Sequence, residues 1–70
     1  MDFKVYQVVQ DDTIFRIEVD YPEVGAYLYI IENGKYLKDY LQDNIEMCKS
    51  LALEEYGISI DSWSLVRENE

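Results

Sequence analysis

No histidine occurs in this chain, and cysteine and proline occur once each, so several kinds of chemistry are excluded before any pattern is read. Histidine is the commonest general base near neutral pH and a frequent metal ligand, and its absence removes most catalytic dyads and imidazole metal sites. A lone cysteine, Cys48, permits no internal disulfide, on which secreted domains of this size normally depend. A reducing, cytoplasmic location is therefore expected. Basic residues are also scarce, six against fifteen acidic ones, for a net charge of −9. A nucleic-acid phosphate backbone is a poor direct partner for such a chain, because like charges would have to be brought together. Long apolar runs are missing too. No stretch approaches the roughly 20 residues of a membrane span, and the start Met-Asp-Phe-Lys-Val lacks the features of a signal peptide, so no membrane association is expected.

What is present points to a folded domain. Nearly half of the 70 residues are apolar, and the aromatics comprise seven tyrosines, two phenylalanines and one tryptophan. That is too rich for an acidic disordered tail. Residues 1–70 form a single domain in this reading, with a thin core, because a chain this short buries only about 60% of the surface it exposes unfolded.

Phe3 to Val9 and Thr13 to Val19 are rich in β-branched and aromatic residues and flank Asp11-Asp12, which reads as a hairpin. A two-residue loop sets Val8 against Phe15 and Tyr6 against Ile17 on one face, with Gln7 against Arg16 and Val5 against Glu18 on the other. Ala26 to Ile31 and Lys35 to Leu41 form a second hairpin about Asn33-Gly34, both of whose turn positions favour positive φ. Counting outward from that turn pairs Ile30 with Leu37 and Leu28 with Asp39 on an aliphatic face. The same count pairs Ile31 with Tyr36, Tyr29 with Lys38 and Tyr27 with Tyr40 on a tyrosine-rich one.

Asp43-Asn44-Ile45-Glu46 has the form of a capping box with Asp43 as the cap, and a helix follows to Tyr56. Its apolar stripe is Ile45, Cys48, Leu51, Ala52 and Tyr56, and Gly57 stands where a left-handed cap belongs, followed by Ile58. Leu37, Leu41, Ile45, Cys48 and Ala52 also keep helical spacing, so a helix starting near Tyr36 competes with the strand reading of residues 36–42. Ile60, Trp63, Leu65 and Val66 supply a closing turn or edge strand, with Trp63 as a lid on the core. The fold class is α+β: an antiparallel β-meander of three to four strands with one C-terminal helix packed on one face.

Catalytic and metal-binding constellations are weak. The carboxylates are scattered over turns and the outer side of the helix, as on a solvated surface. Asp11-Asp12, or Asp39 with Asp43, offer oxygen ligands without the spacing of a cation loop. Cys48 lies on the core stripe with no activating base. No enzyme activity, cofactor or metal is expected. The tyrosines are the more informative cluster. Tyr27, Tyr29, Tyr36 and Tyr40 share the sheet face that the helix leaves bare, with Arg16 and Lys38 lying across the rings, and tyrosine is favoured in interface cores. These four are the candidate partner-binding residues. Asp43, Glu46 and Glu54, on the outer side of the helix, are the candidates for electrostatic steering.

The expected function is a non-enzymatic, acidic protein-interaction module. Its size and charge suit an immunity- or antitoxin-like inhibitor of a basic partner protein. Alternatives are a mimic of DNA charge that occupies a nucleic-acid-binding protein, and a structural or regulatory homodimer.

Overall fold

Two hairpins build the sheet, each closed by a two-residue turn that only particular residues tolerate. In the computed structural model, which describes residues 4–68, β1 (Lys4–Gln10) and β2 (Thr13–Val19) meet at Asp11, whose φ is 57°. β3 (Ala26–Glu32) and β4 (Lys35–Gln42) meet at Asn33-Gly34, with φ of 53° and 77°. The first hairpin has the expected register, Val8 opposite Phe15 and Gln7 opposite Arg16. Residues 36–42 are strand, which settles the competition with a longer helix.

β2 and β3 also pair antiparallel, and the chain closes with a short 3₁₀ turn, Ile60–Ser62, and β5 (Ser64–Glu68) on the free side of β1. The sheet thus has five antiparallel-paired strands in the order β4-β3-β2-β1-β5. Because β4 and β5 are its two edges, the chain must cross the sheet between them, and helix α1 (Ile45–Tyr56) lies on that crossing. The fold is α+β with one helix on one sheet face.

The loop from β2 to β3 is set by Gly25, at φ 114°. A Cβ there would collide with the Gln42 carbonyl, so only glycine lets the two chain segments approach.

Helix α1 begins one residue later than the capping-box reading places it. Asn44, not Asp43, is the N-cap, and its side chain accepts from the Met47 amide at 2.9 Å. Asn44 is as good a cap as aspartate and has the extended backbone a cap needs, whereas Asp43 stays exposed in the preceding bend. At the other end Gly57 is left-handed, φ 71°, and the Gly57 and Ile58 amides donate to Leu53 O and Ala52 O. Ile58 then turns into the core.

The core lies between helix and sheet. Ile17, Leu28, Cys48 and Ala52 are fully buried, joined by Phe15, Ala26, Ile30 and Ile58, with Tyr6, Val8, Tyr40, Tyr56 and Trp63 packed around them. Trp63 is the expected lid, although its Nε1–H is buried without a partner.

The second hairpin departs from the simple count. Ile31 pairs with Tyr36 as expected, but Ile30 pairs with Lys38, Tyr29 with Asp39, Leu28 with Tyr40 and Tyr27 with Leu41, so Leu37 is a bulge without a cross-strand partner. One extra residue reverses the facing of everything beyond it. Regular pairing would have set Asp39 against Leu28 on the covered face, where burying a carboxylate without a partner is costly. The bulge sends Asp39 to the open face and brings Tyr40 inward, where its hydroxyl lies 3.2 Å from that of Tyr56.

Candidate functional site

Alternation along the strands leaves one sheet face without a helix, and the register arranges it in three cross-strand rows. The first is Val9, Ile14, Ile31 and Tyr36, and the second is Gln7, Arg16, Tyr29 and Asp39. The third is Val5, Glu18, Tyr27 and Leu41, extended onto β5 by Arg67 opposite Val5. Ile31 is buried at the centre of the first row, while Val9 and Tyr36 at the ends of that row, and Leu41 at the end of the third, stand more than half exposed.

Three of the four candidate tyrosines are brought together here. Tyr27 and Tyr29 stack with centroids 5.8 Å apart, and Tyr36 meets Tyr29 edge-on at 5.4 Å. Both geometries suit the ring quadrupole. Tyr40 is not among them, because the Leu37 bulge turns it to the helix side. Lys38 is displaced for the same reason. It sits opposite Ile30 on the helix side rather than across the tyrosine rings.

Arg16 does lie across this face. Its Nε and Nη2 donate to Gln7 Oε1 at 3.3 and 3.2 Å, and its Nη1 donates to Tyr36 Oη at 3.2 Å. The guanidinium therefore bridges β1 to β4 over the intervening strands. Its approach to Glu18 is loose, 4.0 Å between half-exposed side chains, which contributes little in water. The Tyr29 phenol is pushed above its ordinary range, first by burial and then by the charges of Glu18, Tyr27, Asp39 and Tyr36. That proton stays on at physiological pH, so the ring presents a neutral hydroxyl. Beside Glu18 lies a recess of about 180 Å³ walled by Val5, Arg16, Glu18 and Val66.

Asp43, Glu46 and Glu54 are all exposed, and Glu46 lies in the first turn of α1, where a negative charge suits the helix dipole. Helix and tyrosines occupy opposite sides of the sheet, so these carboxylates do not join the tyrosine cluster. Cys48 is fully buried, its thiol donating to Ala26 O at 3.5 Å and pushed up to about 11 by burial, which leaves it inert as a nucleophile near neutrality. Among the described residues no group of three or more histidines, cysteines or carboxylates is placed to hold a metal ion, and no helix is long and apolar enough to cross a membrane.

Sequence reasoning missed Leu41 and Asp39 as members of this face. The available signal was the misplaced charge itself, since an aspartate counted onto a core face argues for a bulge before it. Comparison with known proteins finds no matching family model, no matching curated protein and no matching solved structure.

Proposed function

We propose that the protein is a non-enzymatic interaction module that docks another protein on the open sheet face, with its acidic helix side steering a basic partner toward it. The observation that carries this reading is the unbroken chain of contacts Tyr27–Tyr29–Tyr36–Arg16 on a face that the described residues leave uncovered. Tyrosine and arginine are the residues most enriched at interface hot spots, and here they are already held in place by one another.

The sheet edges are less suited to docking. β4 carries Lys35 and Lys38 and the Leu37 bulge, and β5 is irregular against β1 at Val5/Tyr6. Lysines and bulges are the usual means of blunting an edge against strand addition. The face is the alternative, and its size sets the expected strength. Three rows over four strands span roughly 20 by 19 Å, about 400 Å² on this side, which is below the size of stable interfaces and in the range of weak, transient ones, so a dissociation constant of about 1 μM or weaker is expected.

Two copies would each bring a charge of −9 to that small contact, which favours a basic heteromeric partner over a homodimer. Inhibition of such a partner, in the manner of an immunity protein or antitoxin, is the role that fits this surface. A mimic of DNA charge would use carboxylates as its contact surface, whereas the rows here are mostly aromatic and aliphatic.

The test is a pair of double variants used to retain partners from the native host and then measured for association rate. Y29S/Y36S removes the contact, and E46Q/E54Q removes part of the steering. The first is expected to abolish retention while keeping the fold, and the second to slow association and flatten its salt dependence. A Y29S/Y36S variant that binds like the parent, with E46Q/E54Q losing binding, would move the contact to the helix. Displacement of the partner by duplex DNA, with the tyrosine variant unaffected, would favour charge mimicry.

A further inference from the structure

The two edges of the sheet are anchored differently. β4 runs for eight residues, the helix packs over β2, β3 and β4, and Tyr40 meets Tyr56 of the helix hydroxyl to hydroxyl. β5 is five residues long and pairs with β1 through a register that breaks at Val5/Tyr6 and skips Val66. Leu65 and Val66 both stand about half exposed. A strand held by an interrupted ladder and by little apolar burial is the kind of element that opens at a lower free energy than the whole fold.

The segment ahead of β5 is built to move with it. Ile58 is fully buried in the core and fixes the chain just past the Gly57 cap. From there the 3₁₀ turn is tied to itself: the Ser62 amide and hydroxyl both donate to Ser59 O, at 3.0 and 2.6 Å, and the Asp61 amide donates to Ser59 Oγ. Those bonds are kept when the turn swings as a body. Trp63 packs this segment against the core, yet its Nε1–H is buried without a partner among the described residues. Burying an unpaired donor is unfavourable, so opening returns the indole N–H to water and offsets part of the apolar contact given up.

We propose that residues 59–68 are a hinged strap that opens and closes as one unit, pivoting just after Ile58, over a four-stranded sheet that stays folded. Val66 is a wall of the recess beside Arg16 and Glu18, so closure of the strap completes that recess and opening dismantles it. The open face therefore has a five-stranded and a four-stranded form, whichever partner docks there.

The test is native-state hydrogen exchange, followed by NMR on the intact chain in urea too dilute to unfold it. Three groups of amides are compared: those pairing β1 with β5, those pairing β2 with β3, and those pairing β3 with β4. The first group, together with the Trp63 indole proton, is expected to exchange about tenfold faster than the second and with a weaker urea dependence, while the third stays with the second. Trp63 is the only tryptophan, so its fluorescence gives an independent readout, expected to change at lower urea than the far-UV circular dichroism of the sheet. One rate and one urea slope for all three groups, with fluorescence and dichroism coincident, would overturn the proposal. Equal speed at the β4 and β5 edges would overturn it too, as ordinary fraying of both. Early exchange of the β1–β5 amides with the indole proton left in the slow group would mean that the strand frays without the turn, which contradicts a single unit.

Discussion

The two faces of this sheet are made from alternate residues of the same strands, yet they solve different problems. The covered face is aliphatic at its centre, with Ile17, Leu28 and Ile30 under Cys48 and Ala52 of the helix, and its rim carries the Tyr40–Tyr56 hydroxyl contact and the unpartnered Nε1–H of Trp63. On the open face Ile31 is the one buried position among those described in the three rows, and around it stand three tyrosines, Arg16, Gln7, the carboxylates of Glu18 and Asp39, half-buried Val5 and Ile14, and exposed Val9 and Leu41. A face built only to be wetted needs no run of tyrosines in ring contact. A face built to be covered intermittently needs side chains that tolerate water and still supply contact area, and tyrosine with arginine meet both demands.

The largest expected difference between the faces is in stability. Leu28→Ala opens a cavity at a fully buried site and is expected to cost about 3 kcal/mol. Tyr29→Ser, one residue along the same strand, loses ring contacts on a half-exposed surface and is expected to cost about 1 kcal/mol. Denaturant melts of the two variants check this. Equal losses would mean that the open face is structural core and would break the comparison.

Alkali sharpens the comparison from the covered side. Burial raises the Cys48 thiol from an ordinary 9.0 to about 11, and the hydrogen bond to Tyr40, with burial and nearby charge, raises the Tyr56 phenol from 10.0 to about 12. Both groups bind their protons more tightly in the folded state. Their contribution is therefore complete below the unfolded values and is lost as pH rises, over about 9 to 11 for the thiol and 10 to 12 for the phenol. Thermal melts are expected to be level from pH 7 to about 9 and to fall above that, and Cys48→Ala is expected to remove the lower part of the fall. A decline of equal size in the Cys48→Ala variant between pH 9 and 10 would contradict the assignment to the thiol.

Much of this architecture was legible because local signals agreed. Asn33-Gly34 and Gly57 sit where positive φ is needed, and the Val8–Phe15 register followed from loop length alone. The bulge was not legible by counting, since nothing in Lys35-Tyr36-Leu37 marks an extra residue locally. It follows from a tertiary balance, an aspartate expelled from the covered face and a tyrosine drawn in toward Tyr56. The displaced N-cap has a simpler cause, two adjacent residues, Asp43 and Asn44, of equal capping ability. Of the candidate site, Tyr27, Tyr29, Tyr36 and Arg16 were readable from the pattern, while Tyr40, Lys38, Asp39 and Leu41 depended on the bulge.

The sorting of tyrosines between the two faces is the claim on which the docking reading depends, and cross-strand proton contacts test it most directly. The account predicts contacts from the Tyr40 ring to Tyr56 and Leu28, from Leu41 to Tyr27, and from Tyr36 to Tyr29, with none between Tyr40 and Tyr27. Contacts between the Tyr40 and Tyr27 rings, with Asp39 opposite Leu28, would mean that β4 pairs without a bulge and that the open face is composed differently from the one described.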